Sequence, residues 1–223
     1  MFIDLRCFAA LCWIGTHLRT TYTFHLMLEF FHKGGPIMWP LLVLSIVALT
    51  VVLERLVFIA REKARRSAAD VDEMLTLVER GDLDAAAHRG IASRDFVARA
   101  LAYALTHRER SFSEAMLRAA NWELKRFNRG LTILDTTITL APLLGLLGTV
   151  TGMIRSFGML GGAELGAPSA ITGGIAEALI ATAFGLGIAI TALLPFNYLN
   201  ARLEEARLEM QDAASHAEIH LKK

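Results

Sequence analysis

Residues 171–200 read ITGGIAEALIATAFGLGIAITALLPFNYLN and contain one acidic or basic side chain, Glu177. A bilayer's hydrocarbon core is crossed by about 20 apolar residues at a rise of about 1.5 Å each, so this stretch is long enough to span it. An acidic residue at the centre of such a segment costs roughly 2.5 to 3.5 kcal/mol on insertion scales. A group that costly faces a protein interior or a watery path, so Glu177 is expected on an ion or proton route. The competing reading places it near the helix end with its carboxylate reaching back to the headgroups, a strained reach if the span starts at Ile171, about two turns before it. Gly173, Gly174, Ala176, Ala178, Ala181, Ala183, Gly185, Gly187 and Ala189 make the segment unusually small in side-chain volume. Small residues let helices pack closely where lipid gives no hydrophobic drive between them. Thr182 lies five residues past Glu177, about 140° around the helix at 3.6 residues per turn, so the two do not share one narrow stripe.

Upstream, Ser156 to Pro168 includes the glycine-rich run GMLGGAELGAP and reads as a short link between antiparallel neighbours. Before it, Thr136 to Ile154 carries no charge, with Asp135 and Arg155 at its ends. Gly148 and Gly152 form a GxxxG step, a close-packing device. Pro142 removes a backbone donor and is expected to bend the helix. Thr149 and Thr151 can bond back to the backbone, or their hydroxyls can line an ion path. Downstream, Pro195 is a candidate kink. Ala201 to Lys223 then mixes acids and bases, with Leu203, Ala206 and Met210 on one side. This tail reads as a solvated helix extending the span, or as one packed on its neighbour.

A further span begins at Pro36. No charge occurs from there to Leu53, and the apolar character continues to about Ala60. Pro40 suits the first turn, and Trp39 suits the interface. Glu54 and Arg55 are expected to be solvated near the inner end. Arg61, Lys63, Arg65 and Arg66 form a basic cluster that stops transfer. Residues 67–132 are polar and helical in pattern, and their many Arg and Glu residues are expected to form a solvated helical surface. Asp82 reads as a helix cap, and Ser111 with Glu114 fits a capping box. Met116, Leu117, Ala120, Leu124, Phe127 and Leu131 recur at helical spacing and suggest an amphipathic helix running into the next span. Residues 1–26 show no helical stripe, while Met27 opens MLEFFHKGGPIMWPLLV. Those first 26 residues are read as an extension or a misassigned start, or else as an interfacial segment.

The 223 residues are 54% hydrophobic with a net charge of +1, and a mean hydropathy of +0.43. This fits a membrane protein with a sizeable polar part. Acids are interspersed among the bases throughout, which argues against a nucleic-acid surface. Cys7 and Cys12 are the two cysteines and form no CxxC pair, so no zinc framework or disulfide scaffold is expected. No nucleophile, base or metal spacing lies in the spans, so no enzyme, metal site or cofactor is expected.

Fifteen Lys and Arg fall between Arg55 and Arg129, four follow the last span, one lies in the short link and three lie upstream. The positive-inside rule then places the large loop and the C-terminus in the cytoplasm and the N-terminus and link outside. The expected layout is an N-terminal segment 1–35, a first transmembrane helix 36–60 and a cytoplasmic helical region 61–132. A second span 133–156, a link 157–169, a third span 170–199 and a tail helix 200–223 complete it. The fold class is an all-α membrane protein with three transmembrane helices and long cytoplasmic helical extensions.

Gly145-Leu-Leu-Gly148-Thr149-Val150 together with Gly174-Ile-Ala-Glu177-Ala-Leu-Ile-Ala-Thr182-Ala-Phe-Gly185-Leu186 resembles the ExbB/TolQ/MotA proton-channel family, most closely the ExbB type. The resemblance covers roughly residues 27–210. The flagellar stator members have four spans, and this chain departs from them. The resemblance implies a homopentamer in the bacterial inner membrane, with the second and third spans lining a pore. That pore would hold the helices of an ExbD-like or TolR-like single-span partner bearing a transmembrane Asp. On the resemblance, Glu177, Thr149 and Thr182 match the polar pore residues. Pro142, Gly145, Gly148, Gly152, Gly174, Ala181 and Gly185 would pack the pore helices. The function implied is a proton-driven motor that acts with a TonB-like protein in uptake across the outer membrane. The alternatives are a TolQ-like subunit of the Tol-Pal envelope-constriction system, or a non-conducting membrane scaffold.

Overall fold

The computed structural model describes residues 31, 33–109, 111–158 and 168–221, with the backbone alone for residues 168–171. The readings of residues 1–26, and of most of the glycine-rich link, lie outside this range. Seven helices occur among the described residues: α1 Met38–Arg65, α2 Ala68–Glu79, α3 Leu83–Ala92, α4 Phe96–Thr106, α5 Phe112–Asn128, α6 Leu131–Gly158 and α7 Pro168–Leu221. Three of them, α1, α6 and α7, are long and apolar enough to cross a membrane. The chain is an all-α membrane protein. It divides into two compact units, Met1–Ile46 with Thr137–Ile190 and Val47–Thr136 with Thr191–Lys223.

In the first unit, Met38, Leu41, Ala141 and Ala189 are buried, with Ile37, Leu44, Leu144, Phe184 and Ile188 packed around them. Large apolar side chains also face outward, including Val43, Leu143, Ile154, Leu179 and Ile190. Helices apolar on both inner and outer faces suit a hydrocarbon surround.

The second unit is built on caps. Ser67, Asp82, Asp95 and Ser111 each accept a hydrogen bond from a backbone N–H in the first turn of the helix that follows. Each satisfies a donor that the helix itself leaves unpaired. Helix α4 is buried nearly all round, from Phe96 to Leu105, and is the centre of this unit. Phe58 and Phe96 both meet Phe127 edge to face, at 5.4 and 5.3 Å between ring centres. Met210, Ala213 and Ala217 bring the end of α7 into the same core. A separate cluster joins Ala48, Leu131, Leu134 and Leu199.

Three expectations are corrected. The amphipathic helix does not run into the next span, because α5 ends at Asn128 and Gly130 turns the chain at φ +82°. A left-handed residue is cheap only for glycine, and a Cβ there would also lie 3.0 Å from Val51 Cγ1. Leu131, read as the last member of the α5 stripe, is buried in another cluster at the head of α6. Arg55 is not solvated but 3% exposed. Its guanidinium donates to both carboxylate oxygens of Glu54, at 2.8 and 2.6 Å, and to the Arg126 carbonyl at 2.9 Å. It also lies 4.9 Å from the Phe58 ring centre. Nor is the charged region simply a solvated surface, since Glu62 and Asp95 are buried among arginines.

Candidate functional site

Helices α6 and α7 face each other across two rows of small residues. The α6 row is Ala141, Gly145, Gly148, Gly152 and Ser156, and the α7 row is Gly174, Ala178, Ala181, Gly185 and Ala189. Steps of three and four residues keep each row on one helix face. A Cβ on Gly148 would stand 2.5 Å from Ala181 Cβ, and one on Gly152 would stand 2.9 Å from Ala178 Cβ. One on Gly185 would stand 2.5 Å from the Ala141 carbonyl oxygen, and one on Gly174 would run into Ser156 Oγ. As α6 numbers rise the opposing α7 numbers fall, so the helices are antiparallel. Pro142 lies within α6 beside Ala141.

Close approach changes what the threonines can do. Thr182 Oγ1 donates to the Gly145 carbonyl across the helix pair at 2.8 Å. That bond is possible because a Cβ on Gly145 would already be 3.0 Å from Thr182 Cα, so the two backbones nearly touch. Thr149 Oγ1 donates to the Leu146 carbonyl at 2.6 Å, within its own helix. Thr151 does the same, to Leu147 at 2.9 Å and Gly148 at 3.2 Å. Such back-bonding is the ordinary way for an apolar helix to satisfy a hydroxyl.

Glu177 stands on α7 between Gly174 and Ala181, off the row of closest contact. Its side chain is 27% exposed, and its Oε1 lies 3.3 Å from Arg155 Nη1 near the end of α6. A Cβ on Gly35 would collide with this carboxylate, and Gly35 has φ +72°. Gly35 is therefore required twice, by its backbone and by the acid beside it. The structure thus brings Glu177 to Arg155 and Gly35, and Thr182 to Gly145. Thr149 keeps its hydroxyl on α6.

Arg155 and Gly35 are neighbours of Glu177 that the sequence does not place beside it. The available signal was that Arg155 is the one basic residue beside the short link. A guanidinium there offers local compensation to an acid 22 residues away.

The second unit holds a different polar assembly. Asp95 Oδ1 accepts from the Val97 and Ala98 N–H groups at 2.8 and 3.3 Å. Its Oδ2 accepts from Ser67 N at 2.8 Å and pairs with Arg66. Arg99 donates to both oxygens of Glu123, at 3.2 and 2.9 Å. Burial pushes the Arg99 guanidinium down, but Glu123, with Glu62 and Asp95 nearby, outweighs it and holds Arg99 above the ordinary arginine range.

Residues 89–212 match the family profile described as the MotA/TolQ/ExbB proton channel family. A protein of Synechocystis sp. named for its likeness to the ExbB biopolymer transport proteins, ExbB-like 1, is 43% identical over 180 residues. That alignment covers 78% of this chain and 70% of the Synechocystis protein. The Tol-Pal system protein TolQ of Haemophilus influenzae is 40% identical over 89 residues, 40% of this chain and 39% of its own. The biopolymer transport protein ExbB of Neisseria gonorrhoeae is 36% identical over 99 residues, 44% of each chain.

Proposed function

The chain belongs to the MotA/TolQ/ExbB proton channel family, and from that footing we propose that it is the ring-forming inner-membrane subunit of an ExbB-type motor. Five copies surround the transmembrane helices of an ExbD-like partner, and the partner's aspartate carries the proton. The third and second spans line the pore, and Glu177, Thr149 and Thr182 shape the polar surroundings of that aspartate. Pro142 and the glycine rows hold the pore helices at the separation this requires. The long cytoplasmic helices and the C-terminus face the basic side of the membrane, following the distribution of Lys and Arg. Through a TonB-like protein, the movement energises uptake across the outer membrane.

The observation that carries this reading is Glu177. It is a partly exposed carboxylate in an otherwise uncharged apolar segment, set beside the glycine–alanine contact of α6 with α7. Helix packing gives no reason for an acid there, since the glycine and alanine rows already supply it, and the pair with Arg155 compensates the charge without accounting for its presence in the span. Moving one elementary charge through a membrane potential supplies about 2.3 kcal/mol per 100 mV, so a few protons suffice for a mechanical step.

The test is Glu177→Gln in the complex assembled with its partner, read as TonB-dependent uptake. Loss of uptake with assembly intact is the expected result, and Glu177→Ala is expected to abolish function as well. Normal uptake in the assembled Glu177→Gln complex overturns the role given to the carboxylate. A Tol-Pal role is the second reading, favoured by the 40% identity to the Haemophilus TolQ. Expression in strains lacking either system separates the two: restored uptake supports the ExbB role, and restored envelope integrity supports the TolQ role. Failure of both, with no proton flux through the assembled complex, leaves the non-conducting scaffold.

A further inference from the structure

Near its C-terminal end, α7 carries His216 and His220, four residues apart and so on one helix face. Glu79, the last residue of α2, meets them from the other side. Its Oε1 lies 3.2 Å from His216 Nε2 and 3.9 Å from His220 Nε2. One ligand atom from each of the three lies within 4.8 Å of the others, and no other such group of three occurs among the described residues. We propose that Glu79, His216 and His220 form a binding site for a divalent transition-metal ion of the Zn²⁺ class, which clamps the tail of α7 to α2.

The geometry fits a shared ion. Ligands about 2.0 to 2.1 Å from a tetrahedral Zn²⁺ stand roughly 3.3 Å apart along each edge, so the 3.2 Å contact already fits and the 3.9 Å contact needs a small rotation. Two imidazoles and a carboxylate are ligands that Zn²⁺ accepts readily. The imidazole rings are 5.3 Å apart and inclined at 70°, edge to face rather than stacked, and both present Nε2 to Glu79 Oε1.

The backbone beneath the site is fixed. Ala217, between the two histidines, is fully buried, as is Met74 on α2, and Ala213 and Val78 are nearly so. The ligands stand at the rim of this packed contact, with side chains 43%, 41% and 26% exposed for Glu79, His216 and His220. Water can therefore reach the ion and complete its coordination. The histidine spacing was legible in the sequence. The carboxylate 137 residues before His216 was not.

The test uses the full chain purified in detergent without a polyhistidine tag and stripped with a chelator. Zn²⁺ is titrated by calorimetry, and Co²⁺ serves as an optical probe of coordination. One Zn²⁺ per chain is expected, with a rise in the unfolding temperature. His216→Ala and His220→Ala should each weaken binding by about tenfold or more, since losing a direct ligand costs at least as much as losing an outer-shell partner. Glu79→Gln should weaken it as well. Alanine is a strong helix former, so the variants should keep their helical circular dichroism. Zn²⁺ bound with unchanged affinity by the His216→Ala/His220→Ala double variant overturns the proposal. So does a wild-type chain that takes up no Zn²⁺ at about 100 μM, where specific protein sites of this class are filled.

Discussion

The α6–α7 pair and the helical unit centred on α4 use opposite chemistry inside. Between α6 and α7 the contact is made by backbone and methyl groups, and polar atoms are satisfied by neighbouring carbonyls. Around α4 the polar atoms are charged and paired, with Asp95, Glu62, Arg66 and Arg99 at least partly buried beside large apolar side chains. The difference follows from the solvent each unit must leave. In hydrocarbon, burying apolar side chains gains little, so close approach of backbones is what remains. In water, burial of Met74, Leu101, Leu105 and Met210 drives association, and the stems of long charged residues can cover the same surface. The first unit should therefore be sensitive to added volume, and the second to lost partners.

The largest effect is expected at Asp95. Its side chain is fully buried, caps α4 and pairs with Arg66. Asp95→Ala removes the cap and leaves Arg66 without that partner, at a cost of about 3 kcal/mol, the low end for breaking a buried charged pair. Denaturant unfolding in detergent measures the total, and hydrogen exchange over residues 96–106 locates it. A loss below about 1 kcal/mol would place Asp95 in the class of exposed pairs and erase the contrast between the units.

Next comes a pair of glycines on one helix. Gly185→Ala places a methyl 2.5 Å from the Ala141 carbonyl oxygen and 3.1 Å from Gly145 Cα, both backbone atoms that cannot step aside. Helix separation should cost about 1 to 3 kcal/mol. A Cβ on Gly187 would meet nothing within 4 Å. Gly187→Ala should be neutral or slightly stabilising for the single chain, because alanine is the better helix former. Equal thermal stabilities for the two variants would refute the row assignment. A folded Gly187→Ala chain that fails to oligomerise would instead place Gly187 against a second copy.

These positions also show what the sequence could and could not convey. The three apolar helices were legible because each contains a run without charge, and Asp82 and Ser111 were legible as caps because capping is local. The end of α5 was not. Leu131 continues the helical spacing, and only Gly130 at positive φ breaks it. Arg55 reads as solvated from its local sequence because one of its partners, the Arg126 carbonyl, lies 71 residues away. Glu177 stood out through its intrinsic cost, whereas Arg155 and Gly35 become its neighbours only through the fold. The glycine rows were visible as composition, but which glycines touch depends on the register of α6 against α7.

Thr182→Val sharpens the comparison at smaller scale. It keeps the side-chain shape and removes the bond to the Gly145 carbonyl. Interhelical hydrogen bonds in membranes average about 0.6 kcal/mol, so the melting temperature should fall only slightly. Uptake by the assembled complex is the informative readout. A drop far beyond the stability change would assign Thr182 to the ion path, and a proportionate one would assign it to packing.

The smallest effect is expected at Asp70, in the first turn of α2. The Ser93 hydroxyl donates to its Oδ2 at 2.7 Å, and this bond, with help from Ser67 and Arg89, holds the carboxyl below its ordinary value of 3.8 despite an opposing cost of burial. A carboxyl depressed in the folded state contributes stability at pH above its unfolded value, and that contribution is lost as the pH falls through the folded value. Ser93→Ala removes the largest cause of the depression. The variant should therefore melt slightly below wild type at neutral pH, and the gap should close as the pH drops through and below 3.8. A gap that stays constant through that window would mean that Ser93 acts on the α3–α4 turn, where its hydroxyl also accepts from Asp95 N, rather than through the charge on Asp70.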